Sequence, residues 1–287
     1  YVSASESRPG EVDVATGTLK RFPVDGGKAA FGDFAFAPDG HAVYFVSDEP
    51  VDGQPSEFLR LRRHDLRSGK LEVLTADIPW DVEGFTIARD GKHLAYMTNE
   101  DGIGKVHVIR LPDHRPVALA DLPIGVIGGA DFSPDGQRLA LTLNTATSPS
   151  DVFVLGLADR SIERWTRSEV GGLDTSTFVT PTMMRFPTFD EVDGQRRTIP
   201  AFFYQPANVP AGRKPPVVIS IHGGPESQSV PAFNPGTQFL VNELGVAVLV
   251  PNVRGSSGYG KTFLSLDNAE KREDSVKDIG ALLDWIA

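Results

Sequence analysis

One turn, repeated in step, constrains this chain more than any other feature. The segments Phe34-Ala35-Phe36-Ala37-Pro38-Asp39-Gly40, Phe85-Thr86-Ile87-Ala88-Arg89-Asp90-Gly91 and Asp131-Phe132-Ser133-Pro134-Asp135-Gly136 each lead into strand formers, at Val43 to Val46, Leu94 to Met97 and Leu139 to Leu143. Each unit reads as strand, Asp-Gly turn, strand. The turn glycines stand 51 and 45 residues apart, and a second marker, Asp13-Val14-Ala15-Thr16-Gly17 and Asp65-Leu66-Arg67-Ser68-Gly69, recurs after 52. One Pro-Asp-Gly turn is common in any β protein, but copies in register at about 50 residues have the period of four-stranded propeller blades. Residues 1–178 hold roughly three and a half such units, against about 4 to 8 in a closed ring. The expectation is a partial β-propeller of about three to four blades, beginning inside the ring.

After Pro181 the pattern changes. Thr198 to Tyr204 reads as a strand, Pro215-Pro216 punctuates, and Val217 to Ile221 is a short apolar run of the kind buried on both faces of a parallel sheet. Residues 237–244 read as a helix with Phe239, Leu240 and Leu244 on one side, ended by Gly245. Val246 to Val250 is another buried strand. A second helix starts at Asp274, capped by Asp274 or Ser275, with Val276, Ile279, Leu282, Leu283 and Ile286 at helical spacing. This alternation specifies a sheet with helices on its faces, so residues 179–287 are expected to form a second domain.

Composition narrows the function classes. The net charge of −10 argues against a nucleic-acid partner. The one basic cluster, Arg60, Arg62, Arg63 and Arg67, reads as the solvated face of an outer strand. Cysteine is absent, which excludes a disulfide framework, a thiolate zinc site and a cysteine nucleophile. No apolar run approaches the ~20 residues of a membrane span. The start at Tyr1 rather than Met leaves room for a preceding segment, and compartment and oligomeric state stay open. His41, His64, His93, His107 and His114 lack ligand spacing and read as surface or packing residues. Asp190, Glu191 and Asp193 with Gly194 read as a solvated acidic turn, and no metal or cofactor is expected.

The chemistry sits at the ends of the two buried runs. His222-Gly223-Gly224-Pro225 follows the first, and a glycine-rich turn there lets backbone N–H groups approach a substrate and donate to the oxyanion of a tetrahedral intermediate. The second ends in Pro251-Asn252-Val253-Arg254-Gly255-Ser256-Ser257-Gly258-Tyr259-Gly260, a tight loop where open α/β sheets place their ligands. Its spacing fits neither a Walker loop nor a dinucleotide fingerprint.

These motifs, with Asp274-Ser275-Val276-Lys277-Asp278, resemble the α/β-hydrolase catalytic domain of the prolyl oligopeptidase family of serine peptidases, most of all its acylaminoacyl peptidase and dipeptidyl aminopeptidase branch. In that family a propeller precedes the hydrolase domain and screens its active site. The crossing between the domains resembles Arg185-Phe186-Pro187-Thr188-Phe189-Asp190 with Ile199 to Tyr204. The resemblance implies that His222, Gly223 and Gly224 supply part of the oxyanion hole, with either glycine N–H as donor. It also implies that Arg254, Gly255, Ser256, Ser257, Gly258 and Tyr259 shape a wall of the active site. Arg254 has a second reading, as a structural arginine bonding loop carbonyls.

The family's nucleophile is a serine in a GxSxG elbow, followed by an acid and then a histidine. Ser257 has Gly255 two positions before it but Tyr259 two positions after, and His222 is the last histidine. The chain is therefore expected to be a fragment, truncated before its catalytic serine and inactive alone, of a peptidase that cleaves short peptides through an acyl-enzyme. The alternatives are an esterase on the same fold and a non-catalytic propeller binding module carrying a hydrolase remnant.

Overall fold

The computed structural model describes residues 9–21, 29–51, 53–111, 113–207, 209–210, 212–224 and 226–287. The repeated turn folds as its chemistry dictates. In each copy the first turn residue, Ala37, Ala88 or Ser133, accepts from the glycine N–H three positions on, and the glycines take φ of 70°, 70° and 66°. That left-handed conformation is open to glycine at little cost. The aspartate carboxylate accepts the N–H two residues ahead, Asp39 from His41, Asp90 from Lys92 and Asp135 from Gln137, at 2.9 to 3.1 Å.

Each turn joins the first two strands of a four-stranded antiparallel meander. The first meander holds β3 (Phe31–Phe36), β4 (Ala42–Ser47), β5 (Arg60–Asp65) and β6 (Leu71–Val73). The second holds β7 (Asp81–Ile87), β8 (His93–Glu100), β9 (Ile103–Arg110) and β10 (Pro116–Val117). The third holds β11 (Gly125–Phe132), β12 (Arg138–Thr145), β13 (Ser148–Gly156) and β14 (Ile162–Arg164). Ahead of them the described residues hold a two-stranded hairpin, β1 (Gly10–Val12) and β2 (Leu19–Arg21). Its Asp13 accepts from Ala15 and Thr16 as Asp65 accepts from Arg67 and Ser68 between β5 and β6. This hairpin thus matches the last two strands of a meander.

Successive meanders stack through apolar seams. Tyr44, Val46 and Leu61 of the first meet Val82, Leu94, Tyr96 and Ile109 of the second, whose Ala88, Ala95 and Val108 meet Ile127, Leu139, Leu141 and Leu155 of the third. Leu61, Leu94, Leu139 and Leu155 are fully buried, each stabilising the stack by about 1.5–3 kcal/mol. The basic cluster departs from the sequence reading. Arg62 is fully buried, because its Nε reaches the Ser47 carbonyl at 3.2 Å and Nη2 reaches that of Glu49. Half-buried Arg60 likewise bonds the carbonyls of Thr75 and Ile78.

The last sheet runs β15 (Thr182–Val192), β16 (Gln195–Tyr204), β18 (Ala247–Pro251), β17 (Val217–Ile219) in spatial order, with β17 parallel to β18 and the other pairs antiparallel. The stretch read as an acidic turn and a domain crossing is mostly β15. Only Asp193-Gly194 turns, at φ of 52° and 76°, which is a two-residue hairpin. Alternation along β18 buries both faces: Leu249 meets Leu282 of α3 (Asp274–Ile286), and Val248 meets Val241 of α1 (Pro235–Asn242).

Three local expectations are corrected here. Val217 and Val218 stand 36% and 39% exposed, because among the described residues β17 is the outermost strand of its sheet, with a neighbour on one side only. Phe239 and Leu244 are exposed, and it is Gln238 and Val241 that α1 buries. Helix α3 has no side-chain cap, since Asp274 is already its first residue and Ser275 donates back to the Arg272 carbonyl. No helix among the described residues is long and apolar enough to cross a membrane.

The meanders and the mixed sheet meet closely. The turn between β8 and β9, with Asp101 at φ 58° and Gly102 at φ 83°, presses against Phe202 and the Ser229 carbonyl, where a Cβ on Gly102 would come within 3.1 Å of the Phe202 ring. Beside it Asp101 pairs with Arg185 at 2.6 Å and Asn99 donates to Gln228 at 2.6 Å. Ala146 joins Phe202, Tyr204, Val241 and Val248 in one apolar cluster that crosses the boundary.

Candidate active-site turn and the loop that holds it

The chain leaves β17 into the turn His222, Gly223, Gly224; Pro225, which the sequence motif includes, lies outside the described residues. Gly223 and Gly224 are exposed, and among the described residues neither N–H has an internal acceptor. Only Gly224 requires glycine: its φ is 137°, and a Cβ there would come within 3.1 Å of Ser227 Cβ, whereas a Cβ on Gly223 meets nothing within 4 Å.

The turn is fastened to the loop after β18 at three successive points. His222 Nε2 lies 2.9 Å from Ser256 Oγ, Ser257 N–H donates to the Ser227 carbonyl at 2.9 Å, and Asn252 brackets the Ser229 peptide. In that bracket Oδ1 accepts the Ser229 N–H at 2.6 Å and Nδ2 donates to the Ser229 carbonyl at 2.9 Å. Nδ2 also donates to the Tyr259 hydroxyl at 2.9 Å. Burial pushes that phenol well above its ordinary range, and the nearby Asp101 carboxylate adds to the shift.

The six residues read as a wall divide by exposure. Arg254, Gly255 and Ser256 are buried, while Ser257, Gly258 and Tyr259 are partly exposed. Gly258 sits where a Cβ would strike Gln228, and Gly255, at φ 88°, sits against Asp267. Arg254 turns away from the turn and bonds carboxylates rather than loop carbonyls. Its N–H and Nε donate to Asp278 Oδ2 at 3.0 Å each, Nη2 donates to Asp278 Oδ1 and Asp190 Oδ1 at 2.8 Å, and its guanidinium lies 4.2 Å from the Phe189 ring centre. Burial works against its charge, but the bonds to Asp278 and Asp190 outweigh it and hold the guanidinium above its ordinary pKa. Thr188 donates a further bond to Asp278 at 2.6 Å, completing a buried link between β15, the loop and α3.

The first meander reaches this loop as well. Glu57 accepts the Thr262 N–H at 2.7 Å and its hydroxyl at 2.9 Å, at the start of α2 (Gly260–Leu264), and Lys261 pairs with Asp48 at 2.7 Å. Trp80 meets the Tyr259 ring edge-on at 6.1 Å between centres.

Sequence reasoning singled out the turn and the loop but gave no role to Asn252, Asp278 or Gln228. One signal was available. Asn252, Arg254 and Ser256 are polar residues directly following the apolar strand β18, and buried polar groups need partners. Among the described residues no cluster of three histidine or acidic side chains could hold a metal ion.

Residues 231–287 match the model of the prolyl oligopeptidase family. Dipeptidyl aminopeptidase BIII of Pseudoxanthomonas mexicana is 24% identical over 270 residues, covering 86% of this chain and 35% of that protein. The acylamino-acid-releasing enzyme of Sus scrofa is 40% identical over 80 residues, 28% of this chain and 11% of that enzyme. Among solved structures, a puromycin hydrolase aligns over 98% of this chain and 42% of its own with a TM-score of 0.78 at 19% identity, and a prolyl endopeptidase aligns over 98% and 39% with a TM-score of 0.76 at 17% identity. The chain thus spans about a third of the first of these relatives and 11% of the second.

Proposed function

We propose that this chain is the propeller portion and the oxyanion side of a serine peptidase of the prolyl oligopeptidase family acting on short peptides, a reading that starts from the match of residues 231–287 to that family's model. The observation that carries the reading is the turn after β17, at the C-terminal end of a parallel strand, with two exposed glycines whose N–H groups have no internal acceptor among the described residues. Gly224, whose φ of 137° no other residue adopts easily, is the better candidate donor, with Gly223 beside it.

In this reading a peptide carbonyl, attacked by a serine, becomes a tetrahedral oxyanion that the turn receives, and collapse expels the amine and leaves an acyl-enzyme that water hydrolyses. The stacked meanders are propeller blades beside the site, and residues Ser257 to Tyr259 line its approach. Serine, acid and base lie outside these 287 residues, which hold no GxSxG and no histidine after His222. The chain by itself is therefore inactive.

The test is hydrolysis of peptide p-nitroanilides, with matched esters, by this chain and by a longer product of the same reading frame that carries the GxSxG, expected within about 40 codons, and the acid and histidine that follow it. The longer product is expected to cleave amides and this chain neither substrate. Amide cleavage by this chain, or a longer product that cleaves esters alone, overturns the reading. An inert longer product favours the binding-module alternative.

A further inference from the structure

Ser256 and His222 form a serine–histidine pair 2.9 Å apart, the spacing of a nucleophile and its base, yet the surroundings of Ser256 deny it that role. Ser256 is fully buried, and its hydroxyl lies 2.6 Å from the Val253 carbonyl. A carbonyl only accepts, so the one hydroxyl proton goes to Val253 and the oxygen presents a lone pair to the imidazole. His222 Nε2 is then the donor.

We propose that Ser256 is a positioning residue, which fixes the His222 ring and through it the Gly223–Gly224 peptides that receive the oxyanion. The inference rests on the function proposed above for that turn. Three features support it. The ring bond is the first of the three fastenings and the nearest to the two glycines, the others falling at Ser227 and Ser229. His222 Nδ1 lies 3.1 Å from the Gly223 carbonyl, so the ring lies against the peptide that joins the glycines; because a carbonyl only accepts, this contact is a hydrogen bond only in the imidazolium, with both ring nitrogens protonated, and is packing contact in the neutral ring. Ser256 is itself held from behind, its N–H donating to the same Val253 carbonyl at 3.0 Å, so the anchor point does not depend on the turn.

The test has two arms. In this chain, nitrogen NMR of the His222 ring is expected to show a protonated Nε2 whose signal changes in Ser256→Ala, together with the amide signals of Gly223 and Gly224 but not that of Gly171. An unprotonated Nε2, or glycine signals indifferent to the substitution, overturns the proposal. In a catalytically competent longer product, Ser256→Ala is expected to lower kcat on the order of 10- to 100-fold with KM little changed, the cost of misplaced donors. His222→Ala is expected to lose a similar factor, and the double variant no more than either. Additive losses, or a change in KM alone, overturn it. A longer product that cleaves nothing counts against the proposed function, while the NMR arm still decides whether Ser256 holds the turn.

Discussion

Asn252 grips the Ser229 peptide by both its polar groups, accepting the N–H at 2.6 Å and donating to the carbonyl at 2.9 Å, as a neighbouring strand would. Asn252 is fully buried and Ser229 nearly so. Asn252→Ala strands two backbone groups away from water and is expected to cost about 2–4 kcal/mol in urea unfolding. Asn252→Asp is expected to be no milder, since it turns a carboxylate oxygen on the Ser229 carbonyl. A loss under 1 kcal/mol would show that the bracket is dispensable.

The Arg254 and Asp278 side chains are 3% and 0% exposed, so removing one leaves the other charge buried. Asp278→Ala is expected to destabilise by about 3–5 kcal/mol, and adding Arg254→Met to recover part of that. Denaturation of the two single variants and the double variant measures the coupling. If the double variant is the sum of the singles, the pair is not an energetic unit.

The two turn glycines are expected to separate sharply. Gly224→Ala forces a side chain into φ of 137° and against Ser227, at a cost of about 1–3 kcal/mol. Gly223→Ala, with no neighbour within 4 Å, should stay within about 0.5 kcal/mol of the parent chain. Thermal unfolding of both variants checks the order.

Acid should weaken the β15 link. Burial raises the Asp190 carboxyl, but hydrogen bonds from Arg254 and Arg197 outweigh it and leave the group below its ordinary value of 3.8. A carboxyl that binds its proton less readily when folded stabilises the protein fully above that value, and the contribution fades as pH falls below it. The stability gap between the parent chain and Asp190→Asn should therefore narrow between about pH 5 and pH 2.5. A constant gap in unfolding curves across that range would assign the effect to packing.

What could be read in advance was what local chemistry decides. The meander turns were legible because Asp39, Asp90 and Asp135 each satisfy an N–H two residues away, with no help from the rest of the fold. The turn at His222 was legible because glycines after an apolar run have few uses. Burial was harder, since it depends on what stands opposite. Val217 and Val218 have the composition of core residues and lie on an outer strand, whereas Arg62 has the composition of a surface residue and is buried because the carbonyls of Ser47 and Glu49 face it. Strand β15 was hidden by Pro187 and by polar residues such as Thr188, Asp190 and Glu191, which alternation alone would not single out. The His222–Ser256 contact joins residues 34 positions apart, a pairing that exists only once β17 and β18 lie side by side.

Gln238 on α1 has a consequence for how the chain comes apart. Its amide donates to the Ala146 carbonyl in the third meander and to the Val179 carbonyl, and accepts the Val179 N–H, all within 2.9 Å. The stretch 171–177, just ahead of Val179, is exposed and open to a protease. Cutting there severs the covalent link without touching these bonds or the cluster around Phe202. The two pieces should elute together on a sizing column and part only in denaturant, so a nick would be visible on a denaturing gel and silent in solution.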